Sequence, residues 1–108
     1  MKPIYWRDAA RRDLDDAAVW YGQQGGLPLE TRFIAAVEAT AGLVGEHPAT
    51  GSTRHAHHVP GLPTALRFFP VGGFESYLLY YLDLPTHIEV LRVWNAARGL
   101  EALMEDAP

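Results

Sequence analysis

Apolar residues recur along this chain with two different periods, and the change from one to the other divides it. Ala10, Leu14, Ala17, Ala18 and Tyr21, and later Phe33, Val37, Thr40 and Val44, return every three to four positions, the spacing of one helical face. Asp8 is placed to cap the first of these helices, with Asp13, Asp15 and Asp16 following, and Gly22 and then Gly25-Gly26 end it. The second begins near Pro28-Leu29-Glu30, where proline suits a first turn, and stops by His47-Pro48. The glycine-rich connection predicts an αα-hairpin, and Ala17, Ala18, Ala36 and Ala41 permit close approach of its arms.

Beyond a loop through residues 48 to 64 the pattern becomes that of strands. Three runs rich in β-branched or aromatic residues, 65–71, 76–83 and 87–95, are separated by Gly72-Gly73 and by Leu84-Pro85-Thr86, which predicts an antiparallel meander. Pro3 to Trp6 adds a short apolar run suited to an edge strand. Leu100, Leu103 and Met104 predict a short helix over Ala97 to Glu105 that frays at Glu105 and Asp106, whose charges oppose the macrodipole. The expected fold is α+β, ordered β-α-α-β-β-β, with the helical hairpin packed on one face of a small antiparallel sheet. The other face is expected to be open, leaving apolar side chains such as Phe68, Leu79 and Trp94 uncovered.

With 108 residues, 48% of them hydrophobic, the chain is expected to form one domain over 1–108 with a single modest core. No apolar run approaches the roughly 20 residues needed to span a bilayer, and Met1 to Trp6 lacks a signal-peptide pattern, so no membrane role and a cytoplasmic location are expected. The absence of cysteine excludes disulfides, thiolate metal sites and a cysteine nucleophile. A net charge of −4 works against a broad nucleic-acid-binding surface, which would need clustered Lys and Arg. A local basic patch remains possible from Arg54, Arg67, Arg92 and Arg98.

The last predicted strand, Ile88 to Asn95, runs into Ala96-Ala97-Arg98 and carries Arg92 and Trp94. Together with Asp13-Leu14, Trp20-Tyr21, Val59-Pro60-Gly61-Leu62 and the tyrosine-rich Ser76-Tyr77-Leu78-Leu79-Tyr80-Tyr81, it resembles the RelE/ParE superfamily of toxins from bacterial toxin–antitoxin operons. The resemblance covers nearly the whole chain and rests on the order of weak signals rather than on one motif. It is greatest to the ParE branch, whose members poison DNA gyrase and are neutralised by a cognate antitoxin, ParD-like or other. What it implies is a toxin of a type II system, of the plasmid-stabilization kind, that binds gyrase rather than an enzyme, meets nucleic acid only indirectly and uses no cofactor.

The same resemblance places an arginine after the last strand, at Arg98. Arg67 and Arg92 could join it on the open face to bind phosphates or carboxylates, with Trp94 and Asn95 beside them, which makes these five the expected target-binding residues. Against that, each arginine could pair at a sheet margin with Glu89, Asp83 or Glu101. Trp94 is read as facing a partner beside Arg92 and Val90. The expected antitoxin-binding residues are Leu14, Ala18, Tyr21, Phe33 and Val37 on the hairpin, while Trp20-Tyr21 are read as core or groove residues.

Two alternatives stay open. The RNase branch cleaves ribosome-bound mRNA, which requires a base, cations and an acid. Its members commonly carry an arginine where this chain has Leu78, and many ParE-like relatives carry a histidine where it has Asn95, so such chemistry would rest on Arg67, Arg92, Arg98 and a distant group such as His57. A degenerate toxin that only binds its antitoxin is the other. His55, His57 and His58 form a cluster that could hold a metal, but without a neighbouring carboxylate they read as a surface loop, and no metal is expected.

Overall fold

The computed structural model describes residues 1–105. Strands β1 (Ile4–Trp6), β2 (Arg67–Val71), β3 (Phe74–Asp83) and β4 (Ile88–Asn95) form one sheet in the order β1-β4-β3-β2, and a long bent helix α1 (Asp8–Glu46) packs on it. The expected antiparallel sheet is in fact mixed. β2, β3 and β4 make the antiparallel meander, but the last strand slots beside the first, and β1 runs parallel to β4 with Ile4 opposite Ile88 and Trp6 opposite Val90.

The bend in α1 is the connection of the expected hairpin. Gly26 has φ 78° and ψ −174°, a conformation open to a residue without a Cβ, and Pro28 starts the second arm. Tyr21 and Phe33 lie with ring centroids 4.8 Å apart across it. On an unbroken helix twelve residues would separate them by about 18 Å. Asp8 does not cap the helix: Arg7 occupies that position without a side-chain cap, and Asp8 stands in the first turn. The Arg7 N–H instead donates to the Val90 carbonyl at 2.9 Å, which sews the helix start to the edge of β4.

The hairpin buries Ala10, Ala17, Phe33, Val37 and Val44 against Val71, Leu79, Tyr81, Ile88, Val90 and Val93. A register shift between Tyr80 and Tyr81 leaves Leu91 as an extra residue on β4. Val90 and Trp94 therefore lie on opposite faces, contrary to simple alternation: Val90 faces the hairpin, and Leu91 and Trp94 belong to a second apolar cluster.

That second cluster corrects the expectation of an open face. Leu66, Phe68, Leu78, Tyr80, Leu82, Leu91 and Trp94 are covered by Ala56, Val59 and Leu62 of the loop after α1 and by Leu100 and Leu103 of the C-terminal segment. Phe68, Leu79 and Trp94, expected at the surface, are all buried. The segment does not form the expected helix. Ala96–Arg98 is one 3-10 turn, Gly99 reverses the chain at φ 73°, and turns follow to Met104; Asp106 lies outside the described residues. At the other end, the buried Tyr81 hydroxyl pins the covering loop by donating to the Pro48 carbonyl at 2.7 Å and accepting the Gly51 N–H at 2.9 Å. A Cβ on Gly51 would run into that ring.

Candidate functional site

Where β1 ends, the outer edge of β4 continues without a strand beside it, and Asp13 of α1 takes the strand's place. Its carboxylate accepts the Val93 N–H at 3.1 Å and two guanidinium N–H groups of Arg92, each at 2.7 Å. Both side chains are about 10% exposed. Arg92 also donates to the carbonyls of Leu103 and Glu105, at 3.0 and 2.9 Å. This forked, charge-assisted pairing ties the helix, the last strand and the C-terminal segment into one joint. Arg92, expected on a partner-facing surface, is thus a buried structural cation.

Trp94 follows on the same strand and is 1% exposed, which overturns its partner-facing reading. Its indole Nε1 donates to the Gly99 carbonyl at 2.7 Å. The Arg92 guanidinium carbon lies 4.5 Å from the indole centroid and that of Arg98 lies 4.0 Å away, both within cation–π range. Asn95 accepts the Ala97 N–H on its side-chain oxygen at 3.0 Å and so holds the turn that carries Arg98. Of the five residues expected to meet a target, Arg98 is exposed and Asn95 and Arg67 are half-exposed.

Arg98 and Asn95 open onto a cleft between α1 and the end of β4. One hollow, of about 170 Å³, is lined by Asp13, Asp16, Trp20, Tyr77, Asn95 and Arg98 among others. A second, of about 390 Å³, shares Trp20, Tyr77 and Asn95 and adds Tyr21 and Ser76. No imidazole lines either. Trp20, read from the sequence as a core or groove residue, is 51% exposed, whereas Tyr21 packs among Phe33, Phe74 and Tyr77. Burial of the Tyr21 hydroxyl, together with the neighbouring Tyr77, pushes its pKa up, so it stays protonated near neutrality. Sequence reasoning missed Asp16 and Tyr77. The visible signal was that Trp20 falls one position off the apolar stripe of the first arm, beside the exposed Val19.

The other expected site residues are scattered. Arg67 donates to the carbonyls of Ala49 and Gly51 on β2, the far edge of the sheet, so the three arginines do not gather. Glu89 and Asp83, proposed as their partners, pair instead with Arg7 and Lys2. On the hairpin, Ala18, Phe33 and Val37 are buried in the core, while Leu14 and Tyr21 are half-buried.

The histidines lie on the second face. His55 stacks on Phe68 at 4.4 Å, and its Nδ1 shares a hydrogen bond with the Tyr80 hydroxyl at 2.9 Å. Among the described residues no three histidine or carboxylate side chains converge on a metal position. Burial, then Arg54, His58 and His57, lowers the His55 pKa. The unfolded chain therefore takes up that proton first as pH falls, and the stability His55 contributes is present above the ordinary histidine value of about 6.5 and lost below it. Urea midpoints should drop between about pH 7.5 and about pH 5.5, less steeply in His55→Phe; identical slopes would contradict this.

The model of a protein family described as "ParE toxin of type II toxin-antitoxin system, parDE" matches residues 4–100. Among solved structures, one titled "Chromosomal ParDE TA system from P. aeruginosa" superposes with a TM-score of 0.71 at 18% identity, covering 88% of this chain and 96% of that one. No curated protein matches the sequence. Among the described residues no helix is long and apolar enough to cross a membrane.

Proposed function

The chain belongs to the ParE toxin family of type II toxin–antitoxin systems, and from that premise we propose that it arrests growth by binding DNA gyrase and is neutralised by a cognate antitoxin. The observation that carries the binding reading is the state of Arg98: an exposed guanidinium seated at the mouth of a cleft that no imidazole lines. General acid–base cleavage of RNA needs a proton acceptor and a donor beside the cation. Asp13, the α1 carboxylate set against β4, is already bound by Arg92 and Val93, and Asn95 cannot exchange a proton near neutrality, which leaves Asp16 and Tyr77 as the other titratable groups lining the smaller hollow of the cleft. For the antitoxin, the hairpin exposes Val19, Trp20 and Leu27 while Leu14 and Tyr21 are half-buried against the core, apolar surface that a segment folding on contact could cover.

Induction of the chain without its antitoxin should produce filamentation and an SOS response, and purified chain should inhibit supercoiling by gyrase. Rapid loss of translation with cleaved mRNA would replace this reading with the nuclease one, and unaffected growth would replace it with an inert binder. Arg98→Ala should abolish arrest while shifting the melting temperature of the antitoxin-bound complex little, because an exposed charge adds about 0–1 kcal/mol. Full arrest by Arg98→Ala at matched expression would move the target surface elsewhere, to the hairpin.

A further inference from the structure

Resting on the reading that Arg98 meets the target, we propose that Trp94 is a positioning residue, a buried aromatic platform that presents the Arg98 guanidinium to a carboxylate of a protein partner. An exposed arginine on a terminal turn has a long side chain free to sweep many rotamers. Here the guanidinium carbon lies 4.0 Å from the Trp94 ring centroid. The platform itself is fixed: the indole is 1% exposed, bonded through Nε1 to the Gly99 carbonyl, and approached by Arg92 at 4.5 Å. Gly99 makes the arrangement possible, since its φ of 73° turns the chain back so that its carbonyl reaches the ring. Arg92 is in turn fixed by both carboxylate oxygens of Asp13. Side chains from α1 and β4 thus hold the group that reaches solvent.

A guanidinium stacked on a ring keeps its N–H groups in its own plane, where a planar carboxylate can take two of them. Asp13 and Asp16 line the same cleft, and the chain carries a net charge of −4, a field that repels the many charges of a polyphosphate backbone more than the one charge of a protein carboxylate.

The test compares Trp94→Leu, Trp94→Phe, Arg98→Lys and Arg98→Ala by growth arrest at matched soluble expression, with melts of the antitoxin-bound complex as the control for folding. Trp94→Leu and Arg98→Lys should raise the inducer needed for half-arrest about tenfold, and Trp94→Phe, which keeps a ring, by about threefold or less. The Arg98 side-chain methylene protons should show ring-current upfield shifts in wild type and Trp94→Phe that vanish in Trp94→Leu. If Trp94→Leu does not fold, Arg98→Lys decides, because its substitution is on the surface. Loss of arrest in Arg98→Ala with full arrest in Arg98→Lys, or in a folded Trp94→Leu, would overturn the platform alone. Full arrest in Arg98→Ala would overturn the target reading beneath it. Retention of the purified chain on duplex DNA at physiological salt, abolished by Arg98→Ala, would overturn the assignment of a carboxylate.

Discussion

Arg92→Ala should destabilise the fold by about 3–5 kcal/mol, the range for removing one member of a buried ion pair. The loss exceeds that of an ordinary salt bridge because the Asp13 carboxylate, about 10% exposed in the intact pair, would lose its cation and keep one Val93 N–H as its donor from β4. The carbonyls of Leu103 and Glu105 would lose the same donor, loosening the segment that covers the second face of the sheet. For a domain of this size, whose stability is of the order of 5–15 kcal/mol, that is a large share. Urea unfolding of the purified chain measures it. A change below about 1 kcal/mol would mean that the pair is solvated and that Arg92 lies at the surface, as its sequence position suggests.

Phe33→Ala should cost a similar amount, about 3–5 kcal/mol, for a different reason. The Phe33 ring is fully buried at the centre of an aromatic cluster, 4.8 Å from Tyr21, 5.2 Å from Phe74 and 5.3 Å from Tyr77 between ring centroids. Removing it leaves a cavity shared by the two arms of α1 and by β3, which none can fill alone. It also removes the ring that joins the two arms of α1 near their bend. Loss of cooperativity in the melt, or a fall in midpoint matching the predicted range, would fit; a wild-type melt would show that the arms are held together by the alanine contacts further along. Leu14→Ala should cost less, because Leu14 is only half-buried.

The hairpin, the meander and the order of elements were legible because each is local. Helical spacing, Gly25-Gly26 before Pro28, and Gly72-Gly73 between two aromatic runs all act over a few residues. The second face was not legible, since the loop around Ala56, Val59 and Leu62 and the segment around Leu103 have no period to announce that they cover a sheet. Site residues failed for a related reason. Arg92 reads as a surface charge until Asp13, 79 positions earlier, is placed against it, and Trp94 changes face because an extra residue at Leu91 breaks the alternation. Arg98 was singled out through the family resemblance, not through its own chemistry, and the structure adds its exposed place beyond β4.

The parallel pairing of β1 with β4 sets when this molecule can exist during its own synthesis. Ile4 leaves the ribosome 84 positions ahead of Ile88, the residue it pairs with. Until Ile88 to Val93 have emerged, β1 has no neighbour, the Asp13 carboxylate has no Arg92 to pair with and the hairpin has only β2 and β3 to close upon. Such non-local pairing delays folding until the distant partner is available. A nascent chain is therefore left without its finished sheet until β4 has emerged, and the turn bearing Arg98 can be assembled only after that strand.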